Sequence, residues 1–515
     1  MKKIAFAIGA LFLTTSIFAQ TFNLTVNNGY GSGTYQAGDT VHIWSVAYDS
    51  TKTFGQWTGD IASLHRPKEW HTTLTMPSQN ISVTAVIDNM PTYSITYELM
   101  QGLNNPFNVY YYFPPNPIGI VYLFHGTGGS AENFIYGVES RSFTNAAIAR
   151  GYAVVSMDAE EVTLNQDIDG DGGRRFMTQP IDTISNVDYR NIKKITIEFI
   201  NRGWITAGTP RFSIGMSAGS NFSAATSYIW NFTGVGYCSR AQNTGFDVRL
   251  SPFAYRLSRY DDNPSYNYPV GLQQALANVA LLDTRGICND LYENDRQPIY
   301  PERFARVPGI SVANSILIYN ELVVNNQIDA NGFALNTSVI EANVLANPSA
   351  YPTIVSFVNS GITGMVSQIG ASNAEHSFYS DYNAATLDFF ADPCGTTVGV
   401  ENPQISDNKI KLYPNPFNSS INISGAIGSE FYSLTNLFGQ MIWSGKNIEQ
   451  QDFSSLTSGI YFVSIRGTTY CFPKSLVLFL SGKQLQYSVG RVVWQLAEQF
   501  GHPLRWISFS CFTSA

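Results

Sequence analysis

Apolar and polar positions alternate in three different ways along this chain. Lys2 and Lys3 precede an apolar run from Ile4 to Leu13, then polar Thr14, Thr15 and Ser16 and small Ala19, the charged, apolar and cleavage regions of an export signal over residues 1–20. The run is too short to span a bilayer. From 21 to 90, short segments such as Phe22–Val26, Thr40–Trp44 and Ile81–Ile87 alternate apolar with polar residues between Gly/Asn turns, the pattern of a small all-β module. Between 92 and 394 the pattern changes to continuous apolar runs interleaved with helical stretches. Gly119–Phe124, Ala153–Met157 and Arg211–Ile214 read as buried strands, Asn145–Arg150 and Thr196–Ile200 as helix, and a largely parallel sheet follows. Further on, Pro252–Leu257 and Gly286–Tyr292 read as strands, and Val270–Thr284, Val312–Val324 and Ala384–Phe390 as helices. Residues 395–410 read as a polar linker, 411–468 as short strands again, and 469–515 show no periodicity and receive no assignment.

Two of these segments carry recognisable motifs. Gly29-Tyr-Gly-Ser-Gly-Thr-Tyr35, Trp57-Thr-Gly-Asp60 and Thr75-Met-Pro77 resemble the divergent internalin-type B-repeat, which implies a spacer or adhesive module. Trp44 and Trp57 are expected in its packing. Leu412-Tyr-Pro-Asn-Pro-Phe417, Thr435-Asn-Leu-Phe-Gly-Gln440 and Leu456–Val463 resemble the C-terminal sorting domain of the type IX secretion system, a β-sandwich. That resemblance implies the type IX machinery as a partner and a secreted or cell-surface location reached through the periplasm. No transmembrane anchor is expected.

Composition narrows the picture. Of 515 residues, 30 are Lys or Arg and 38 Asp or Glu, a net charge of −8, which provides no basic footprint for nucleic acid. Only 13% are charged and 44% are hydrophobic, so the chain has ample material for cores and a neutral surface. Five cysteines, all in the mature chain, would meet an oxidising compartment; one bridge among Cys238, Cys288 and Cys394 is expected, with the pair left open.

The chemistry centres on Gly215-Met-Ser-Ala-Gly219, a G-x-S-x-G between an apolar strand and a helix-compatible stretch, the context of a nucleophile elbow. Glycines flank the serine because the turn is strained and neighbouring backbones come close. Upstream, His125-Gly-Thr-Gly-Gly129 follows a buried strand and can aim backbone amides at a developing oxyanion, which selects the Thr127 and Ala218 amides. The order serine, acid, histidine requires a base downstream of Ser217; with His502 in the unassigned tail, that is His376, on the loop opening the last helix. For the acid, Asp262 in Asp-Asn-Pro is preferred, and Asp261 and Asp295 are the alternatives. The long stretch after Asp295 is expected to form a helical lid over about 301–370. Asp167, Asp169 and Asp171 alternate as in the first half of a calcium loop, a candidate structural calcium site; the reaction itself needs no cofactor.

Ser217, His376, Asp262 and the His125–Gly129 loop together resemble the α/β-hydrolase superfamily, nearest to secreted polyhydroxybutyrate depolymerases and feruloyl esterases. The fold expected is therefore α/β, an α/β-hydrolase domain between two β units. The resemblance implies hydrolysis of an ester, polymeric or lipid-like; the competing readings are a serine peptidase of the same fold and a non-catalytic surface-binding protein.

Overall fold

The computed structural model describes residues 20–46, 51–238, 251–263, 267–357, 362–394, 411–413, 417–424, 432–436, 441–457, 459–465, 468–474, 492–493 and 508–509. Residues 1–19 of the expected signal peptide and all of the expected linker lie outside them. Two compact units divide the chain, residues 1–399 and 400–515.

The first unit opens with seven strands: β1 (Thr21–Asn27), β2 (Gly29–Tyr30), β3 (Gly33–Gln36), β4 (Thr40–Ser45), β5 (Lys52–Gly59), β6 (His71–Thr75) and β7 (Ile81–Asn89). They form two sheets, ordered β3-β1-β7-β5 and β2-β4-β6. Inward alternate residues Leu24, Val26, Val41, Ile43, Leu74, Ile81 and Val83 close around Trp57. Trp44 is also buried, but against Tyr300 of the following domain. The module is docked, not free.

The α/β domain of the same unit has eight strands. These are β8 (Thr96–Gln101), β9 (Pro106–Tyr112), β10 (Ile120–Phe124), β11 (Ala153–Met157), β12 (Arg211–Met216), β13 (Gly234–Cys238), β14 (Phe253–Ser258) and β15 (Asn289–Asn294), in the order β8-β9-β11-β10-β12-β13-β14-β15. The β8–β9 hairpin pairs antiparallel with β11 through β9, and the remaining six strands are parallel. Continuous apolar sequences suit the central strands because both faces are covered. Ile120, Tyr122 and Phe124 face one core with residues of α4 (Val187–Asn201) and α5 (Ala218–Trp230). Val121 and Leu123 face the other, built with α1 (Ala131–Tyr136), α2 (Val138–Ala149) and α11 (Asn383–Ala391). Short α3 (Glu160–Leu164) follows β11, and α6 (Tyr268–Thr284) joins β14 to β15.

After β15 come α7 (Val312–Val324), α8 (Thr337–Ala346), α9 (Pro352–Ser356) and α10 (Ile362–Ser372). They share their own apolar core, including Phe304, Ile318, Leu322, Ile340, Val344 and Ile369, with Val138 of α2 against it. Buried Glu139 of α2 ties this insertion down: it pairs with Arg303 and Arg306 and accepts from Gln368 Nε2 at 2.7 Å. Although burial opposes its charge, Arg306 and Arg303 hold the Glu139 carboxyl below the ordinary range. A Cys288–Cys394 disulfide joins the start of β15 to the end of the domain.

The second unit contains β16 (Lys411–Tyr413) paired with β17 (Asn422–Ser424), then β18 (Tyr432–Asn436), β19 (Met441–Gly445), β20 (Gly459–Ile465) and β21 (Thr468–Lys474) in the order β19-β18-β20-β21. Its core holds Phe417, Leu434, Phe453, Tyr461 and Val463. The β20–β21 pairing carries the sheet past residue 468, into the stretch that hydrophobic patterning leaves unassigned.

Candidate active site

Ser217 sits between β12 and α5 with φ +56° and ψ −120°, a conformation that costs a non-glycine residue on the order of 1–3 kcal/mol. Its neighbours explain how the turn closes. A Cβ on Gly215 would fall 2.1 Å from the Gly219 carbonyl oxygen, and one on Gly219 would fall 2.2 Å from that of Phe124. Ser220 adds a second tie, its Oγ donating to the Gly215 carbonyl at 2.6 Å.

His376 reaches this serine from the loop between α10 and α11. Its Nε2 lies 2.8 Å from Ser217 Oγ and its Nδ1 2.7 Å from Asp261 Oδ2. The loop is pinned upstream by Glu375 N donating to Gly370 O at 2.9 Å and by Ala374 O, which accepts the Tyr260 amide at 3.0 Å. Tyr260 directly precedes Asp261, so one backbone bond ties the loop of the imidazole to that of the carboxylate.

This pairing corrects the preferred acid. Asp262 is exposed, and the buried carboxylate facing His376 belongs to its neighbour Asp261. The tight turn is the reason: Asp261 N donates to Ser258 O, and Asp261 Oδ1 accepts the Asn263 amide, which turns that side chain inward. Asp295 is paired with Arg259 at 3.0 Å on the exposed side.

The His125–Gly129 loop lies beside the serine. A Cβ on Gly126 would stand 3.3 Å from Ser217 Cβ. His125 itself is buried, its ring tilted against Phe176, with Nδ1 2.8 Å from Gly126 O, while Ala159 N donates to Nε2 at 3.4 Å; it braces the loop, and burial lowers its pKa. Among the described residues, no carbonyl pairs with the Thr127 or Ala218 amide.

The acidic stretch supports this loop. Gly128 N donates to Arg174 O at 2.9 Å, and Arg175 donates to Thr127 Oγ1 at 3.2 Å while bound to Asp171 Oδ2 at 2.7 Å. Asp171 is thus turned away from the expected calcium set. The three acids drawn together, with one oxygen each within 4.8 Å, are Glu161, Asp167 and Asp169. They accept the loop's own amides: Glu161 takes Ile168, Asp169 and Arg175, and Asp167 takes Gly170 and Gly172. That bonding accounts for the alternate spacing of the acids.

Sequence reasoning missed the segment Arg66–His71 of the β module. Glu69 accepts the Ala384 amide at 3.1 Å and the Ala385 amide at 2.7 Å. Trp70 Nε1 donates to Ser380 O at 3.0 Å, and His71 Nδ1 lies 2.5 Å from Asp381 Oδ1. Its only sequence signal is the adjacency of Glu, Trp and His in a turn of a module read as chemically silent.

Residues 22–89 match the family model described as "Divergent InlB B-repeat domain", and 411–478 that described as "Secretion system C-terminal sorting domain". No curated protein matches the chain. Among solved structures, a Pyrobaculum calidifontis esterase is similar at 16% identity over 40% of this chain and 76% of that chain, with a TM-score of 0.28. A Xanthomonas campestris serine hydrolase without lid is similar at 14% identity over 40% and 86%, TM-score 0.28. A Pyrococcus horikoshii acylaminoacyl peptidase is similar at 12% identity over 54% and 51%, TM-score 0.28. Among the described residues no helix is long and apolar enough to cross a membrane, and the sorting domain marks the chain for secretion or surface attachment. The chain thus combines a segment that matches the divergent B-repeat, an α/β domain built on an eight-stranded, mostly parallel sheet, and a segment that matches the secretion sorting domain.

Proposed function

We propose that the chain is a secreted serine hydrolase that cleaves carboxylic esters through an acyl-enzyme, delivered by the type IX machinery through the periplasm. The observation that carries this reading is the continuous relay from Ser217 Oγ through His376 to Asp261 at 2.8 and 2.7 Å, on a serine held at φ +56°. In it, His376 Nε2 takes the hydroxyl proton as Ser217 Oγ bonds to the acyl carbon, and Asp261 fixes the imidazole tautomer and stabilises the imidazolium. The Thr127 and Ala218 amides receive the oxyanion. The proton on His376 passes to the departing alcohol, and a water, deprotonated by the same imidazole, releases the acid.

Hydrolysis of p-nitrophenyl acetate and butyrate by wild type and Ser217→Ala tests this. Wild type is expected to turn over, and the variant to lose about 10³-fold or more in kcat. Full activity in Ser217→Ala sinks the elbow assignment. A panel of aliphatic polyesters, aryl-linked cell-wall esters and peptides then assigns the acyl and leaving groups; cleavage of peptides alone would replace the ester reading.

A further inference from the structure

We infer that the N-terminal β module is a working part of the hydrolase, whose Glu69 and Trp70 position the chain that carries His376. The inference rests on the reading of His376 as the base. A B-repeat that served only as a spacer would be joined by a linker and keep its polar groups in water. Here consecutive side chains of one module segment are buried against one hydrolase segment, four to nine residues beyond the imidazole.

The grip runs residue by residue along 380–385, met by side chains from across the segment Arg66–His71. Trp70 is 4% exposed and donates its indole N–H to the Ser380 carbonyl and, at 3.1 Å, to Ser380 Oγ. Arg306 and Arg303 cover the same indole, with guanidinium carbons 3.9 and 5.2 Å from its ring. The Ser380 amide donates to Glu139 Oε2 at 3.0 Å, so this residue is fixed from both sides. Asp381 then meets His71 and, at 2.9 Å, Gln297 Nε2, and Gln297 Oε1 in turn accepts from Trp44 of the module at 2.8 Å. Arg66 lies over the Tyr382 ring at 4.4 Å. Glu69, 3% exposed, ends the series by accepting the first amides of α11.

Bonds of this kind matter at a base because a displacement of about 1 Å can cost on the order of 100-fold in rate. Upstream, the loop is anchored within the hydrolase itself, through Gly370 and Tyr260. Downstream, the module supplies much of the anchoring from Ser380 to Ala385, so loosening it frees one end of the loop while Ser217 and the oxyanion loop stay in place. The signature is a loss in kcat with KM nearly constant.

Three variants of the full chain test this. Trp70→Phe removes the indole donor and keeps an aromatic, though smaller, ring beneath Arg303 and Arg306; Glu69→Gln keeps the shape but only one acceptor oxygen. Tyr30→Leu is the control: Tyr30 stacks on Tyr300 at 4.9 Å and packs on the aromatic cluster of the same interface, but among the described residues it makes no hydrogen bond to 380–385. With p-nitrophenyl butyrate, Trp70→Phe and Glu69→Gln are expected to lose about tenfold in kcat with KM within twofold, and to react about tenfold more slowly with a fluorophosphonate. Tyr30→Leu should match wild type in both assays. The inference is overturned if either folded variant keeps wild-type kcat, or if Tyr30→Leu falls equally, since docking strength alone would then be responsible. Wild type inert to both reagents would instead sink the hydrolase reading beneath it.

Discussion

Two adjacent aspartates differ in what a single turn does to them. Asp261 is 5% exposed with its carboxylate on His376, whereas Asp262 points to solvent. Asp261→Asn should therefore cost about 10⁴-fold in kcat by presenting the wrong partner to Nδ1, while Asp262→Asn stays within about twofold. Steady-state kinetics on one ester compares them; an equal loss in both would mean that the turn rearranges when substrate binds. That Ser217, His376 and the His125–Gly129 loop come together was legible in sequence because each has a required neighbour: glycines at an elbow, serine before histidine in chain order, glycines after a buried strand. The aspartate that faces His376 was not, because Asp261 and Asp262 are adjacent and only the turn, with Asp261 N on Ser258 O and Asn263 N on Asp261 Oδ1, decides which one points inward. Glu161 escaped notice for a related reason: it lies outside the alternating run, and only folding brings it over the amides of Ile168 and Arg175.

Among the elements, the central strands β10 and β11 are read to within a residue, whereas the edge strand β15 is read as a strand with its ends displaced. β10 and β11 are buried at every position, so a continuous apolar run is their direct consequence, and the patterning places them within a residue. β15 at the sheet edge reads Asn-Asp-Leu-Tyr-Glu-Asn and starts three residues after the predicted Gly286, because Gly286 at φ +65° still belongs to the turn that ends α6. That polar edge strand is secured covalently. Cys288 lies just before it and Cys394 just past α11, closing a separation of 106 residues. A loop of that length constrains the unfolded chain by about 4–5 kcal/mol in the chain-entropy account. Cys394→Ser should accordingly lower the denaturation midpoint by an amount equivalent to several kcal/mol while leaving kcat at 25 °C near wild type; a shift below about 1 kcal/mol would show that the sheet edge holds without the bridge.

For the first unit as a whole, scarce charge is concentrated where the β module and the α/β domain meet. Glu69, His71, Glu139, Arg303 and Asp381 are all buried or nearly so at that boundary, together with His42, whose Nδ1 lies 3.0 Å from His71 Nε2. Burial, and then the neighbouring His71, lower the His42 pKa to about 3, while Asp381 pulls the other way. Between pH 6.5 and 3 the unfolded chain binds a proton that folded His42 refuses, so its contribution to stability is complete above pH 6.5 and is lost as pH falls. Glu69 and Asp188 have the opposite sign. Burial raises both to about 7, against backbone amides that pull them down, so what they contribute is present at low pH and lost as pH rises toward 7. In wild type the two slopes partly cancel between about pH 4.5 and 6.5. Replacing His42 with Gln keeps a polar partner for His71 and removes one slope. Thermal scans of the full chain at pH 7 and pH 5 should show a melting temperature that falls with acidification less in His42→Gln than in wild type, or rises. Identical pH dependence in the two proteins would mean that His42 takes up its proton in the folded state, and that the joint between the β module and the α/β domain opens to water well above pH 3.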